Sequence, residues 1–348
     1  MERVRGLLGV PAYAAPSGGY RARDGGCAPA FEEVGTVVLQ VVDVGAFGCE
    51  DVLVVPSGPL EGWVLTGTAD GGLHRVSHDG REVVHVADVE GRPLGLEWLP
   101  DGRVLVCEAY QGLLAVDPVD GSIETLLTEV DGRPFVFCNN AAVADDGTVY
   151  VSDSSAIHPV DEWKAEVLDL SGTGRLVRRA PDGTASVLLE GLEFANGVAI
   201  SGDGSSVVVA ETSVRRLQRV FVGGPRDGGS EVFVDDLPGF PDNIARGSDG
   251  LVWVALASPP DPLVELLQRS PAWMRRATLR LPESLQPAPK RTIRVQAYDD
   301  DAHLVHDVAV TDPADTGRFH MVTGVREHDG RLWLGSLHED AVAVLDVP

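Results

Sequence analysis

The chain has 348 residues, with 28 Lys and Arg against 53 Asp and Glu, a formal net charge of −25. That balance excludes a nucleic-acid backbone and an anionic membrane surface as partners, because both need a basic face. An apolar content of 44% excludes an acidic disordered chain, and 40 glycines with 23 prolines indicate many turns.

Residues 1–40 begin with a basic tip and a short apolar stretch broken by Gly9 and Pro11. They read as an N-terminal arm rather than a signal peptide, so a cytoplasmic protein is expected. No apolar run reaches the roughly 20 residues of a membrane span, and no membrane partner is expected. Cys27, Cys49, Cys107 and Cys138 are scattered without metal-binding spacing. Buried free thiols are the expectation and a disulfide the alternative.

Over residues 41–348 one unit recurs: an Asp-Gly or similar turn, a β-rich run and a polar loop. Its copies are GWVLTGTADGG (62–72), DGRVLVCEAYQG (101–112), DGTVYVSDSS (146–155), DGSSVVVAETS (203–213), DGLVWVALAS (249–258) and DGRLWLGSLHED (329–340). Asp-Gly between two strand-like runs marks a hairpin. Further runs precede each turn and follow each loop, as in GVAI (197–200) and GLLAVD (112–117). Six units of four antiparallel strands predict an all-β, six-bladed β-propeller. Residues 258–292 depart from the pattern. Leu263, Leu266 and Leu267, then Trp273, Met274, Ala277 and Leu281, have helical spacing. The segment predicts a short helical, lid-like insert between the second and third strands of blade five, locally basic within an acidic chain.

Asn139, Asn196 and Asp242 each lie eight residues before a turn glycine (Gly147, Gly204, Gly250). Equal offsets place them at one register of the innermost strands, which surround the channel of a propeller. In blade two the same position is Leu94. Carboxylate and amide oxygens converging on an axis suit a hard cation such as Ca²⁺. Blade one offers Glu50 or, beside its turn, Glu61. The loops after each second strand share the face of this ring. They carry the acid–base candidates Glu108, Asp153, Glu211 and His338, with Tyr110 and His158 behind them.

The sequence resembles the calcium-dependent six-bladed propellers: gluconolactonase/regucalcin, paraoxonase and the strictosidine-synthase-like group. GCEDV, FANGVAISGDGSSVVVAET, LPGFPDNI and EHDGRLWLGSLH are most similar to the last two branches, over about residues 45–347. The resemblance implies one channel site for Ca²⁺ or another divalent ion, held by Glu50, Asn139, Asn196, Asp242 and Asn243. The pairs Glu50-Asp51 and Asp242-Asn243 match the paraoxonase pattern and favour Glu50 over Glu61. Three departures stand out. Asn139-Asn140 replaces an Asn-Asp, so a second calcium shared with Asp51 is not expected. Thr323 stands four residues before the Glu327 of EHDG, where strictosidine synthase has its catalytic glutamate, so a Pictet–Spengler condensation is not expected. CEAYQG (107–112) holds no counterpart of the paraoxonase histidine.

The function expected is a Ca²⁺-dependent hydrolase of lactone or ester type acting on a small molecule, as a monomer or weak homo-oligomer. Asp242, His338, Asp153 and Glu108 are the candidates for proton transfer. The alternatives are a strictosidine-synthase-like synthase or cyclase without hydrolytic activity, and a ligand-binding propeller without catalysis.

Overall fold

In blades 3, 4 and 5 the Asp-Gly turn closes by the same local chemistry. Asp146 Oδ1 accepts from Thr148 N at 2.8 Å, Asp203 Oδ1 from Ser205 N at 2.9 Å and Asp249 Oδ1 from Leu251 N at 2.9 Å. The glycines between them adopt φ of 86°, 68° and 82°, a left-handed region open to residues without a Cβ. These turns join the first and second strands of successive blades in a computed structural model that describes residues 38–58 and 60–348.

Six four-stranded antiparallel sheets form. The innermost strands of blades 2–6 are Pro93–Trp98, Cys138–Val143, Ala195–Ile200, Pro241–Arg246 and Val322–His328, and blade 1 begins with Val52–Val54. The second strands are short, mostly apolar runs, such as Val104–Glu108 and Ser206–Glu211, which are buried throughout. They pack face to face with neighbouring blades, leaving one apolar cluster at each blade interface. The all-β, six-bladed expectation holds. The sequence reading did not anticipate how the ring closes. Gln40–Asp43 supplies the outermost strand of blade 6, pairing from Gln40↔Val344 to Asp43↔Ala341. The expected arm over residues 1–40 falls almost entirely outside the described residues, as does Cys27.

Helices break the β pattern on one face. The insert of blade 5 holds α2 (Pro262–Gln268) and α3 (Ala272–Leu279), between the strands Val252–Leu256 and Ile293–Tyr298. Asp261 caps α2 by accepting from Leu263 N at 2.7 Å, with Pro262 at the first position. Of the leucines with helical spacing in α2, Leu267 is buried and Leu263 and Leu266 are exposed. Val264 and Leu267 point inward, while Leu266 and Trp273 are 63% and 70% exposed. Blade 3 carries α1 (Trp163–Asp169) in what had read as a polar loop. Leu168 of α1 packs on Val264 and Leu267 of α2, and Arg275 of α3 pairs with Asp169 at 2.9 Å. The two inserts therefore meet over one end of the channel. Cys49, Cys107 and Cys138 are buried free thiols, as expected. No helix among the described residues is long and apolar enough to cross a membrane.

Candidate metal centre and its pocket

The ring comprises Leu94, Asn139, Asn196 and Asp242, at the predicted register, together with Glu50 and Thr323, which that offset does not locate: eight residues before Gly330 stands Val322. All six line one cavity of about 110 Å³ at the channel mouth. Glu50, Asn139 and Asn196 are at most 3% exposed. Asp242 keeps some accessible surface. Glu61 is exposed in its turn and does not line the cavity.

The orientation of the two ring asparagines is fixed from behind. Asn139 Nδ2 donates to Ser154 Oγ at 2.9 Å, and Ser154 spends its own proton on the Ala195 carbonyl at 2.7 Å. Asn196 Nδ2 donates to Thr212 Oγ1 at 3.0 Å, and Thr212 donates to the Pro241 carbonyl at 2.7 Å. A hydroxyl whose proton is committed can only accept, so the amide nitrogens turn toward it and the amide oxygens turn away. At the matching place blade 2 has Ala109, behind Leu94, and blade 5 has Ala257, behind Asp242. Neither of those ring residues needs orienting. Sequence reasoning missed this pair, although among blades 2–5 a hydroxyl follows the last residue of the second strand (DS at 153–154, ET at 211–212) only where the ring residue is an amide.

Four buried oxygens result with no hydrogen-bond partner among the described residues: Glu50 Oε2, Asn139 Oδ1, Asn196 Oδ1 and Asn243 Oδ1. Each orphaned acceptor costs on the order of 1–3 kcal/mol unless something compensates it. Asn243 holds Glu50 by donating Nδ2 to Oε1 at 2.9 Å. The carboxylates are short of positive charge. Burial pushes Asp242 up to about 7, against the hydrogen bonds from Asn196 and the Asn243 backbone. Burial, with repulsion from Asp51 and Asp242, drives Glu50 well above the usual carboxylate range. A set of hard oxygens, two of them anionic, suits a divalent cation such as Ca²⁺. Among the described residues no group of three His, Cys, Asp or Glu is placed for a metal. The donors here are two carboxylates completed by amides.

The residue after each ring position alternates: Asp51, Gly95, Asn140, Gly197, Asn243, Gly324. A Cβ on Gly95 would meet Asn140 Cα at 2.6 Å, on Gly197 the Ile244 N at 2.1 Å and on Gly324 Asp51 Cα at 2.8 Å. Glycine is required there because adjacent inner strands touch. Two of the polar members hold the next blade: Asp51 Oδ2 accepts from Leu96 N and Asn140 Oδ1 from Val198 N, both at 2.9 Å. Arg326, bonded to Glu97 at 3.0 Å, supplies positive charge beside Asp51.

The remaining candidates lie off the cavity. Glu108 accepts from Arg92 N at 2.6 Å and Gln111 N at 2.7 Å. Asp153 accepts from Phe137 N at 2.9 Å and pairs with Arg175 at 3.0 Å. Glu211 accepts from Glu193 N at 3.0 Å and Arg216 Nε at 2.7 Å. All three end a second strand and clamp the backbone leading into their own blade's innermost strand. That register is why they turn into the protein rather than toward the pocket. His338 stands half-buried against Phe47 and His320, while its neighbour Leu337 lines the cavity. His158 lies between Glu162 and Asp169, and Tyr110 Oη donates to Asp161. Above the polar floor the walls are apolar: Phe137, Phe194, Val160 and Trp163 from blades 3 and 4, Phe240, Val264 and Leu279 from blade 5.

The model of the SMP-30/gluconolactonase/LRE-like region matches residues 65–261. The chain is 38% identical over 278 residues to Protein STRICTOSIDINE SYNTHASE-LIKE 10 of Arabidopsis thaliana, covering 76% of this chain and 71% of that protein. It is 32% identical over 334 residues to an adipocyte plasma membrane-associated protein of Salmo salar, covering 86% and 77% respectively. Among solved structures, a gluconolactonase from Xanthomonas campestris superposes with a TM-score of 0.65 at 16% identity, covering 90% of this chain and 91% of that one. The calcium-binding protein regucalcin from Agrobacterium tumefaciens superposes with a TM-score of 0.62 at 17% identity, covering 89% and 94%. At those identities the structural likeness shows the fold alone.

Proposed function

The chain belongs to the SMP-30/gluconolactonase/LRE-like family, and from that premise we propose that it is a Ca²⁺-dependent hydrolase of lactones or esters. The observation that carries this reading is the group of four buried, partnerless oxygens at the floor of an apolar-walled pocket. Glu50, Asn139, Asn196, Asp242 and Asn243 would hold the ion. When bound, it supplies polarisation of the scissile carbonyl and charge to stabilise the oxyanion. Asp242 is the ring carboxylate with accessible surface, so its ionised form can take the proton of the attacking water and return it to the leaving alkoxide. Thr323 carries a neutral hydroxyl in place of a carboxylate and cannot act as the base; it donates to the Glu50 carbonyl at 2.8 Å. The apolar walls exclude bulk water and seat the substrate's hydrocarbon part.

Metal analysis of the purified protein, with a turnover screen over lactones, aryl esters and organophosphates, tests this. Bound calcium and turnover that disappears on chelation and in Asp242→Ala are expected. Full turnover in that variant, or after exhaustive chelation, overturns the mechanism. A non-hydrolytic synthase or cyclase is the second reading. The water-shielded apolar walls and the strictosidine-synthase-like relative favour it. Calcium retained with no turnover on the whole panel would support it.

A further inference from the structure

The reaction pocket continues outward. A cleft of about 790 Å³ opens between α1 and α3 and shares Trp163, Lys164, Leu279 and Gln286 with the cavity over the ring. Three carboxylates border this cleft, and each is engaged. Asp161 accepts from Tyr110 Oη at 2.9 Å, Glu162 lies 2.9 Å from His158 Nδ1, and Asp169 binds both His158 at 3.1 Å and Arg275 at 2.9 Å. Arg275 is committed to Asp169 and to the Ser270 carbonyl at 2.7 Å. Arg276 and Arg280 also border the cleft, one turn apart on α3 and at its C-terminal end. Both are exposed, and among the described residues their guanidinium groups make no ion pair or hydrogen bond. In a chain of net charge −25 this is a local excess of positive charge at the mouth of the pocket.

We propose that Arg276 and Arg280 recognise an anionic head group, so that the ligand of this site is an anionic amphiphile. Its reacting carbonyl lies at the ring, its hydrocarbon body against the apolar walls, and its carboxylate or phosphate in the cleft between α1 and α3. Placement of the carbonyl rests on the hydrolase reading; recognition of the anion does not. Elsewhere the protein's acidic field would repel such a ligand, and two unpaired guanidinium groups reverse that field locally.

Calorimetric titration of the intact protein with octanoate, octyl phosphate and octanol tests the proposal without requiring turnover. The wild type is expected to bind at least one of the anions about tenfold more tightly than octanol. The two anions distinguish carboxylate from phosphate. The double variant Arg276→Glu/Arg280→Glu is expected to lose that preference while binding octanol unchanged. Arg269→Glu, an exposed cation of the same insert outside the cleft, is expected to keep it. Equal affinity for all three ligands overturns the proposal, as does an equal loss in Arg269→Glu, which would indicate only a general field. Ester turnover that is intact without any anion preference removes this proposal alone. Absent turnover with the preference intact removes only the hydrolase reading.

Discussion

At the residue scale the site depends on how two amides point. Ser154 and Thr212 each accept from one ring asparagine, and no local rule at Asn139 or Asn196 would orient the side chain otherwise. Ser154→Ala and Thr212→Val should each weaken calcium binding by about 10- to 100-fold, the effect of removing an outer-shell partner, with folding intact. Competition titration with a calcium chelator measures it, and unchanged affinity would mean the amides are held by something else. Asp242 gives a pH signature. Its folded value of about 7 lies above the ordinary 3.8, so the cation-free fold retains a proton that the unfolded chain has released. The stability contributed is fully present below that window and is lost as pH rises through it. In chelator, Tm should therefore fall more steeply between about pH 4 and 7 in the wild type than in Asp242→Asn. Added calcium should raise Tm more at the upper end of the window than at the lower. The ring positions of blades 2–5 were legible because equal offsets from turn glycines mean equal register, whereas Glu50 rested on the resemblance and Thr323 lies one residue off that count. The hydroxyls behind them were not found, because they act across from the neighbouring strand.

At the scale of elements, the second strands of blades 2, 3 and 4 end in an acid that ties down its own blade. Glu108, Asp153 and Glu211 looked like pocket-facing acids because they sit at the start of loops on the ring's face. A residue at a strand end still has a register, and this one faces inward. Asp153 and Arg175 are both almost wholly buried, with side-chain exposures of 2% and 5%. Asp153→Ala leaves a buried guanidinium unpaired and should cost about 3–5 kcal/mol in urea unfolding, while activity per folded molecule stays near that of the wild type. A stable but inactive Asp153→Ala would instead restore it as a proton-transfer candidate. The blade 5 insert was visible as a break in the β pattern punctuated by proline. Its buried face was legible only at Leu267, because α2 and α3 pack against α1 of blade 3, and no periodicity within the insert encodes a partner from another blade.

The molecule as a whole closes by pairing its ends. Gln40–Asp43 completes blade 6 against Ala341–Asp346, and Val42 is buried between that sheet and blade 1. Val42→Asp places a carboxylate in this apolar seam and should cost at least about 2 kcal/mol. At about 2–4 °C per kcal/mol for a large domain, that is a Tm drop of at least about 4 °C in calorimetry. A neutral result would mean that closure does not need this strand. Repeat, hairpin turns, blade number and the ring register are all local or periodic features, so the sequence alone determined them. The closing strand, the inward turn of the three strand-end acids, the hydroxyls that aim the amides and the apolar roof made by two inserts depend on contacts between residues far apart in the chain. Only the tertiary structure decided these, because what each side chain faces is set by which blade packs against it.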